Sequence, residues 1–165
     1  MFSEMFSISE LDLVIRLVAA AACGAALGFE REAQNKAAGL RTHMLVSLGA
    51  ATFTTLGAGT AAAMGGGEAD PVRVIQGVAT GIGFLGAGQI MHTRRGIEGL
   101  TTAAAIWLAG AVGVACGVGQ YPIAIAAVAL GLTTLAIVAR VEGKQKQAPP
   151  KAPPIAKPKQ VRGAE

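Results

Sequence analysis

Hydrophobic residues dominate five long windows along the chain, and polar residues are concentrated between them. Each window holds about twenty mostly apolar residues, the length that an α-helix needs to cross ~30 Å of hydrocarbon. The windows are 11–29, 42–64, 72–91, 100–118 and 122–139. With 52% hydrophobic and 15% charged residues, the chain is too apolar for an ordinary soluble domain. The pattern predicts an all-α, polytopic membrane protein whose residues 1–142 form five transmembrane helices.

Basic residues lie mainly on one side of the predicted spans. They occur between the first and second windows, between the third and fourth, and after the fifth, whereas the loop between the second and third carries Glu68 and Asp70. Cytoplasmic loops retain most Lys and Arg residues. The sequence therefore predicts an external N-terminus and a cytoplasmic C-terminus. Residues 143–165, rich in Lys, Ala and Pro, are predicted to be a disordered basic tail that attracts anionic lipid or serves only as a solvated linker.

A weak repeat relates the two halves of the chain at a displacement of sixty residues. Gly39-Leu40-x-Thr42 matches Gly99-Leu100-x-Thr102, and Gly57-x-Gly59 matches Gly117-x-Gly119. The matches indicate two hairpins of two helices that run in parallel, although a composition rich in Ala and Gly also produces some matches by chance.

Glycines in the third and fourth windows form the densest pattern of small residues. Gly81, Gly83 and Gly86 spell G-x-G-x-x-G, but dinucleotide binding needs that motif between a strand and a helix, and here it lies within an apolar window. We expect close helix packing instead, with the third helix central and flanked by the first and fourth, so that Gly81→Leu should disrupt the fold. The predicted packing positions are Gly77, Gly81, Gly83, Gly86, Gly88, Gly110, Gly113 and Gly117.

Few polar residues fall inside the windows, and such residues usually face a partner or a water-filled path. Arg73, Gln76 and Thr80 share one face of the third helix with Gly77, which makes this polar stripe the principal intramembrane candidate. Alternatively, Asp70 and Arg73 serve as a helix cap and an interface anchor.

Near the predicted cytoplasmic surface, Glu30, Glu32 and Glu98 share a zone with His43 and His92. Their spacing matches no metal motif, so charge compensation with the arginines of this zone is the favoured interpretation and any metal ligand is unknown. No catalytic set of residues is present, so we expect neither an enzyme nor a cofactor. Cys23 and Cys116 are predicted to lie toward opposite membrane faces, which disfavours a disulfide.

Five blocks of sequence together resemble the MgtC/SapB family. They are residues 28–32, 38–43, Arg73 with Gln76, 81–88, and 99–104 with Trp107. The resemblance implies a multi-pass protein of the bacterial inner membrane with five spans and a link to magnesium limitation. The better-known members carry an ACT-like cytoplasmic domain after the last span, and we expect this chain to be a short member without one.

Two functions are consistent with these observations. The first is a non-enzymatic membrane protein of magnesium homeostasis that acts on another membrane complex. The alternative is a homo-oligomeric transporter or channel for an ion or small solute. Both imply the lipid bilayer and other copies of the chain as partners, and neither involves nucleic acid. The candidate functional polar residues are Glu30, Arg31, Arg41, Asp70, Arg73, Gln76, Thr80, Thr101 and Thr102.

Overall fold

Five helices and one short β-hairpin account for the regular structure of the residues that are described. The computed structural model describes residues 9–63, 71–93 and 96–146. The elements in chain order are α1 (Glu10–Ala33), α2 (Leu40–Ala63), α3 (Pro71–Ala87), β1 (Met91–Thr93), β2 (Gly96–Glu98), α4 (Leu100–Gly117) and α5 (Tyr121–Lys146). Each predicted window contains one helix, so the all-α class is confirmed.

Helix ends differ from the predicted windows in three places. α1 continues past residue 29 to Ala33, and α5 continues to Lys146, so residues 143–146 are helical rather than part of a disordered tail. Residues 147–165, for which the rest of that tail was predicted, lie outside the described residues. α3 ends at Ala87, four residues before the end of its window.

The β-hairpin between α3 and α4 was not predicted. β1 and β2 pair antiparallel with Met91 opposite Glu98, and strands of three residues are too short to produce a recognisable alternation. Gly99 joins the hairpin to α4 at a φ of +90°, and a Cβ at this position would collide with the carbonyl oxygen of Gln89. Both constraints favour glycine.

Neighbouring helices alternate in direction, as in an up-and-down bundle. Ser47 of α2 lies against Ala20 and Gly24 of α1, whereas Gly28 lies against Leu40, so α1 and α2 are antiparallel. In contrast, α2 and α4 are in contact without being consecutive, and they run in the same direction, because Gly113 lies against Ser47 and Gly117 against Ala51. Both begin at equivalent positions of the sixty-residue repeat, Leu40 and Leu100.

α4 occupies the centre of the bundle, where sequence analysis had placed α3. Ala109, Val112 and Cys116 of α4 belong to a core shared with α1, α2 and α5, and Ile106 belongs to a second core shared with α2 and α3. α3 packs against α2 and α4. The predicted central position of α3 was wrong. A high glycine content shows that a helix is narrow, but it does not show which other helices pack against it.

The two cysteines lie together rather than toward opposite faces. The side chains of Cys23 and Cys116 are within hydrogen-bonding reach of each other, and both thiols are free. The prediction failed because antiparallel packing of α1 and α4 brings the two residues to a similar depth in the bundle.

Two helices meet the length and hydropathy expected of a membrane span among the described residues: α1 and α4. Shorter apolar segments occur at Val72–Ala87 and Tyr121–Ile137. The five-span arrangement and its orientation therefore remain predictions.

Five hydroxyl groups of α2 donate to backbone carbonyls. Thr52, Thr54 and Thr60 each donate to the carbonyl four residues earlier at 2.8 Å, and Ser47 donates to the Ala20 carbonyl at 2.8 Å. A helix surrounded by hydrocarbon requires such internal partners. These hydroxyl groups are thus compatible with an apolar environment.

Candidate functional site

The polar stripe of α3 faces away from the bundle. Arg73, Gln76 and Thr80 are all exposed, and the Thr80 hydroxyl donates to the Gln76 carbonyl at 2.8 Å. Phe84, on the same face, is 81% exposed. The opposite face packs through Ile82, which is buried. The predicted stripe therefore exists, but it lines no path through the interior of a single chain.

An apolar groove runs between α2 and α3 beside this stripe. It has a volume of about 600 Å³. Its residues include Leu45, Gly49, Phe53, Gly77, Gly81 and Leu85. A Cβ added at Gly49, Gly77 or Gly81 would meet no atom of a neighbouring element within 4 Å. These glycines therefore form the floor of the groove, which is open to the surroundings of the protein.

The predicted packing glycines divide into two groups. A Cβ at Gly113 would be 2.9 Å from the Ala50 Cβ, and one at Gly117 would be 2.8 Å from the Ala51 carbonyl oxygen, so both lie at the contact of α4 with α2. Gly110 receives the Ile82 side chain, and Gly86 lies beside Ala103. Gly77, Gly81 and Gly83 contact no neighbouring helix, and a Cβ at Gly88 would meet only α3 backbone.

A charged cluster lies where α1 ends and α2 begins. Arg31 is 2% exposed, and its Nε donates to the Glu30 carboxylate at 2.5 Å. The His43 side chain is fully buried and its Nδ1 donates to the Gly39 carbonyl at 2.9 Å. The His43 Nε2 has no hydrogen-bond partner among the described residues.

Glu32 has a structural role in the same cluster. Its carboxylate accepts a hydrogen bond from the Leu40 backbone N–H at 2.8 Å. Leu40 is the first residue of α2, so Glu32 satisfies a free N–H at the positive end of that helix. The cluster of Glu30, Arg31 and Glu32 thus fixes the turn between the first two helices.

The other predicted polar residues do not join one site. Arg41 and Thr101 are exposed, whereas Thr102 is 5% exposed at the start of α4. Asp70 lies outside the described residues. In the part of the chain that the structure describes, no three His, Cys, Asp or Glu side chains are close enough to hold a metal ion.

A second polar contact lies at the other end of the bundle, and the sequence indicates only part of it. The Arg16 guanidinium binds the Asp12 carboxylate through Nε at 2.7 Å and donates through Nη1 to the Gly117 carbonyl at 2.8 Å. The Thr55 hydroxyl donates to the same carbonyl at 3.3 Å. An i, i+4 pair of Asp and Arg is visible in the sequence, but its extension to the C-terminal end of α4 requires the tertiary structure.

Comparison with known proteins identifies the family. The model of the MgtC family matches residues 17–144. The chain belongs to the MgtC family. The matched region includes the charged cluster, the groove and the outward stripe of α3.

Relatives within the MgtC family share two fifths or more of the aligned residues. YhiD of Escherichia coli K12, whose name describes a candidate magnesium transporter, is 42% identical over 118 residues, which is 69% of this chain and 54% of YhiD. MgtC of Salmonella typhimurium LT2 is 40% identical over 114 residues, 69% of this chain and 47% of that protein. MgtC of Brucella abortus is 45% identical over 96 residues, 58% of this chain and 38% of that protein.

The chain spans about half the length of the first two of these relatives. None of the three names describes an enzyme. No solved structure matches the chain.

Proposed function

We propose that this MgtC-family protein is a non-enzymatic, multi-pass protein of the bacterial inner membrane that supports adaptation to low magnesium by contact with other membrane proteins. The family and the name of YhiD support the link to magnesium. The outward direction of the α3 polar stripe is the observation that carries the proposed mode of action, because a face with hydrogen-bonding groups is poorly suited to lipid alone.

Close packing in the bundle supports this mode over conduction through one chain. α2 and α4 meet at Gly113 and Gly117 with backbone against backbone, which leaves no room for an ion between them. A path for a hydrated ion requires a wide, polar lining. Five hydroxyl groups of α2 instead donate to backbone carbonyls, namely those of Ser47, Thr52, Thr54, Thr55 and Thr60.

Growth at limiting magnesium tests the proposal. In a bacterium that lacks its own copy, we expect the unaltered chain to restore growth and Phe84→Ala to fail, because Phe84 dominates the outward face of α3 without contacting the bundle core. Leu130→Ala, which truncates a residue of α5 that is 69% exposed, is the matched control and should restore growth. Membrane levels of each variant are measured alongside.

Two results would contradict the proposal. Full restoration of growth by the Phe84→Ala variant would show that this face is not a contact surface. If the unaltered chain is present in the membrane at normal levels and does not restore growth, the proposed link to magnesium is contradicted.

A second function is favoured by the same outward face. If several copies surround a common axis, Arg73, Gln76 and Thr80 could line a path between copies. A fixed positive charge opposes cations and suits an anionic solute better. Flux of such a solute in liposomes that Gln76→Leu abolishes, with assembly unchanged, would support this transporter.

A further inference from the structure

The α2–α3 groove has an open floor lined by glycine. A Cβ added at Gly49, Gly77 or Gly81 would meet no atom of a neighbouring element within 4 Å, whereas Leu45 and Phe53 on the α2 wall are 67% and 65% exposed. Hollows between large residues accept the side chains of another helix. The groove thus has the shape of one half of a helix–helix contact.

α1 carries a matching ridge on the outside of the bundle. Leu11, Val14, Ile15 and Val18 are 48–68% exposed, and they recur at helical spacing on one face. None of these four residues belongs to the two hydrophobic cores found among the described residues. A ridge of this kind complements a groove floored by glycine.

Contacts within the bundle place the ridge and the groove at the same depth. Gly57 of α2 lies against Val74 of α3, and Ser47, ten residues earlier, lies against Ala20. Since all three helices rise about 1.5 Å per residue and α2 is antiparallel to the other two, Val74 is level with the first turn of α1. Ile15 and Val18 are therefore within one or two residues, or ~3 Å, of the levels of Gly77 and Gly81.

The charges at the end of the groove and at the end of the ridge are also complementary. Arg73, in the first turn of α3, is exposed and makes no ion pair with a described residue. Glu10, in the first turn of α1, is exposed at the corresponding level. A copy of α1 seated in the groove with parallel orientation brings this carboxylate near the guanidinium, and such pairing at a rim favours one register over others.

We propose that the α2–α3 groove binds α1 of a second copy of this chain. Ile15 and Val18 of one copy occupy the hollows at Gly77 and Gly81 of the other, and Glu10 pairs with Arg73. The interface rests on shape, depth and charge, and it applies to either function proposed above.

Disulfide cross-linking in native membranes tests the interface. In a background with Cys23→Ala and Cys116→Ala, we expect Val18→Cys combined with Gly81→Cys to give an intermolecular product on oxidation, and neither single substitution to do so. Ala126→Cys with Gly81→Cys is the control, because Ala126 is exposed on α5 away from the ridge. No product from the first pair would overturn the proposal. A product from Gly81→Cys alone would also overturn it, because α3 would then face α3.

Charge reversal tests the register. Glu10→Lys and Arg73→Glu should each lower the yield of the cross-linked product, and the double variant should recover it. Failure to recover would overturn the ion pair.

Gly81→Leu separates assembly from folding. The groove is open at this position, so, contrary to the expectation from the sequence, we expect the variant to fold with unchanged or slightly higher stability and to appear as a monomer in light scattering, while Ala126→Leu keeps the assembly of the unaltered chain. An assembled Gly81→Leu variant would overturn the proposal.

Discussion

Gly113→Ala is the most informative single change for the packing of the bundle. A Cβ at this position would lie 2.9 Å from the Ala50 Cβ and closer still to the backbone carbonyl oxygen of Ser47. A backbone atom cannot rotate away, so α2 and α4 must separate. Overpacking of this kind costs about 1–3 kcal/mol, and the rigid backbone neighbour places the expected cost near the upper end.

Helix propensity offsets part of that cost. Alanine is more favourable than glycine in a helix by about 1 kcal/mol, so the net destabilisation should be about 2 kcal/mol. Gly83→Ala is the matched control, because nothing lies within 4 Å of a Cβ there. It should stabilise the protein by up to ~1 kcal/mol. The free energies of unfolding of the two variants should therefore differ by about 3 kcal/mol. At ~1.4 kcal/mol for each factor of ten, this is a difference of more than a hundredfold in the folding equilibrium constant.

Unfolding in mixed micelles measures this difference. A denaturing detergent is titrated against folded protein, and the transition is followed by circular dichroism and by the fluorescence of Trp107, the single tryptophan. The reasoning predicts a lower midpoint for Gly113→Ala and an equal or higher midpoint for Gly83→Ala. Equal midpoints for the two variants would refute the central position of α4.

Three further changes use the same unfolding titration. Arg16→Met keeps an unbranched side chain but loses the hydrogen bond to the Gly117 carbonyl and the ion pair with Asp12, so it should cost about 1–3 kcal/mol; an unchanged midpoint would mean that this contact is not stabilising. Glu32→Ala should cost about 0.5–2 kcal/mol by freeing the N–H of Leu40, and Glu32→Gln, which keeps an acceptor, should cost less; equal losses would argue against capping. Gly99→Ala should cost at least ~1 kcal/mol from its left-handed backbone alone, and a stable variant would contradict the geometry of the β2–α4 junction.

The helices were predicted well because hydropathy and the proline and glycine residues at helix ends are properties of the local sequence. Pro71 begins α3, as expected of a residue that fits the first helical turn. Leu40 and Leu100 begin α2 and α4, each after a glycine, in agreement with the aligned blocks of the repeat. The hairpin at Met91–Glu98 was missed because its pairing depends on a turn and not on an apolar pattern.

The positions of the helices relative to each other could not be predicted as well from the sequence. Glycine-rich faces occur on both α3 and α4, and only packing shows that Gly113 meets another helix while Gly81 does not. Likewise, the spacing of Arg73, Gln76 and Thr80 defines a shared face but not the direction in which that face points. The burial of Arg31 beside Glu30 also follows from the approach of α2, which no local pattern encodes.

Magnesium entry into liposomes tests the central claim most directly. Purified, assembled protein is reconstituted at known density, and a magnesium-sensitive dye inside the vesicles reports entry under an imposed gradient and membrane potential. Our account predicts entry no faster than in protein-free vesicles, because the bundle interior is closed at the α2–α4 contact. Entry that rises with protein density and that Gln76→Leu abolishes would contradict it.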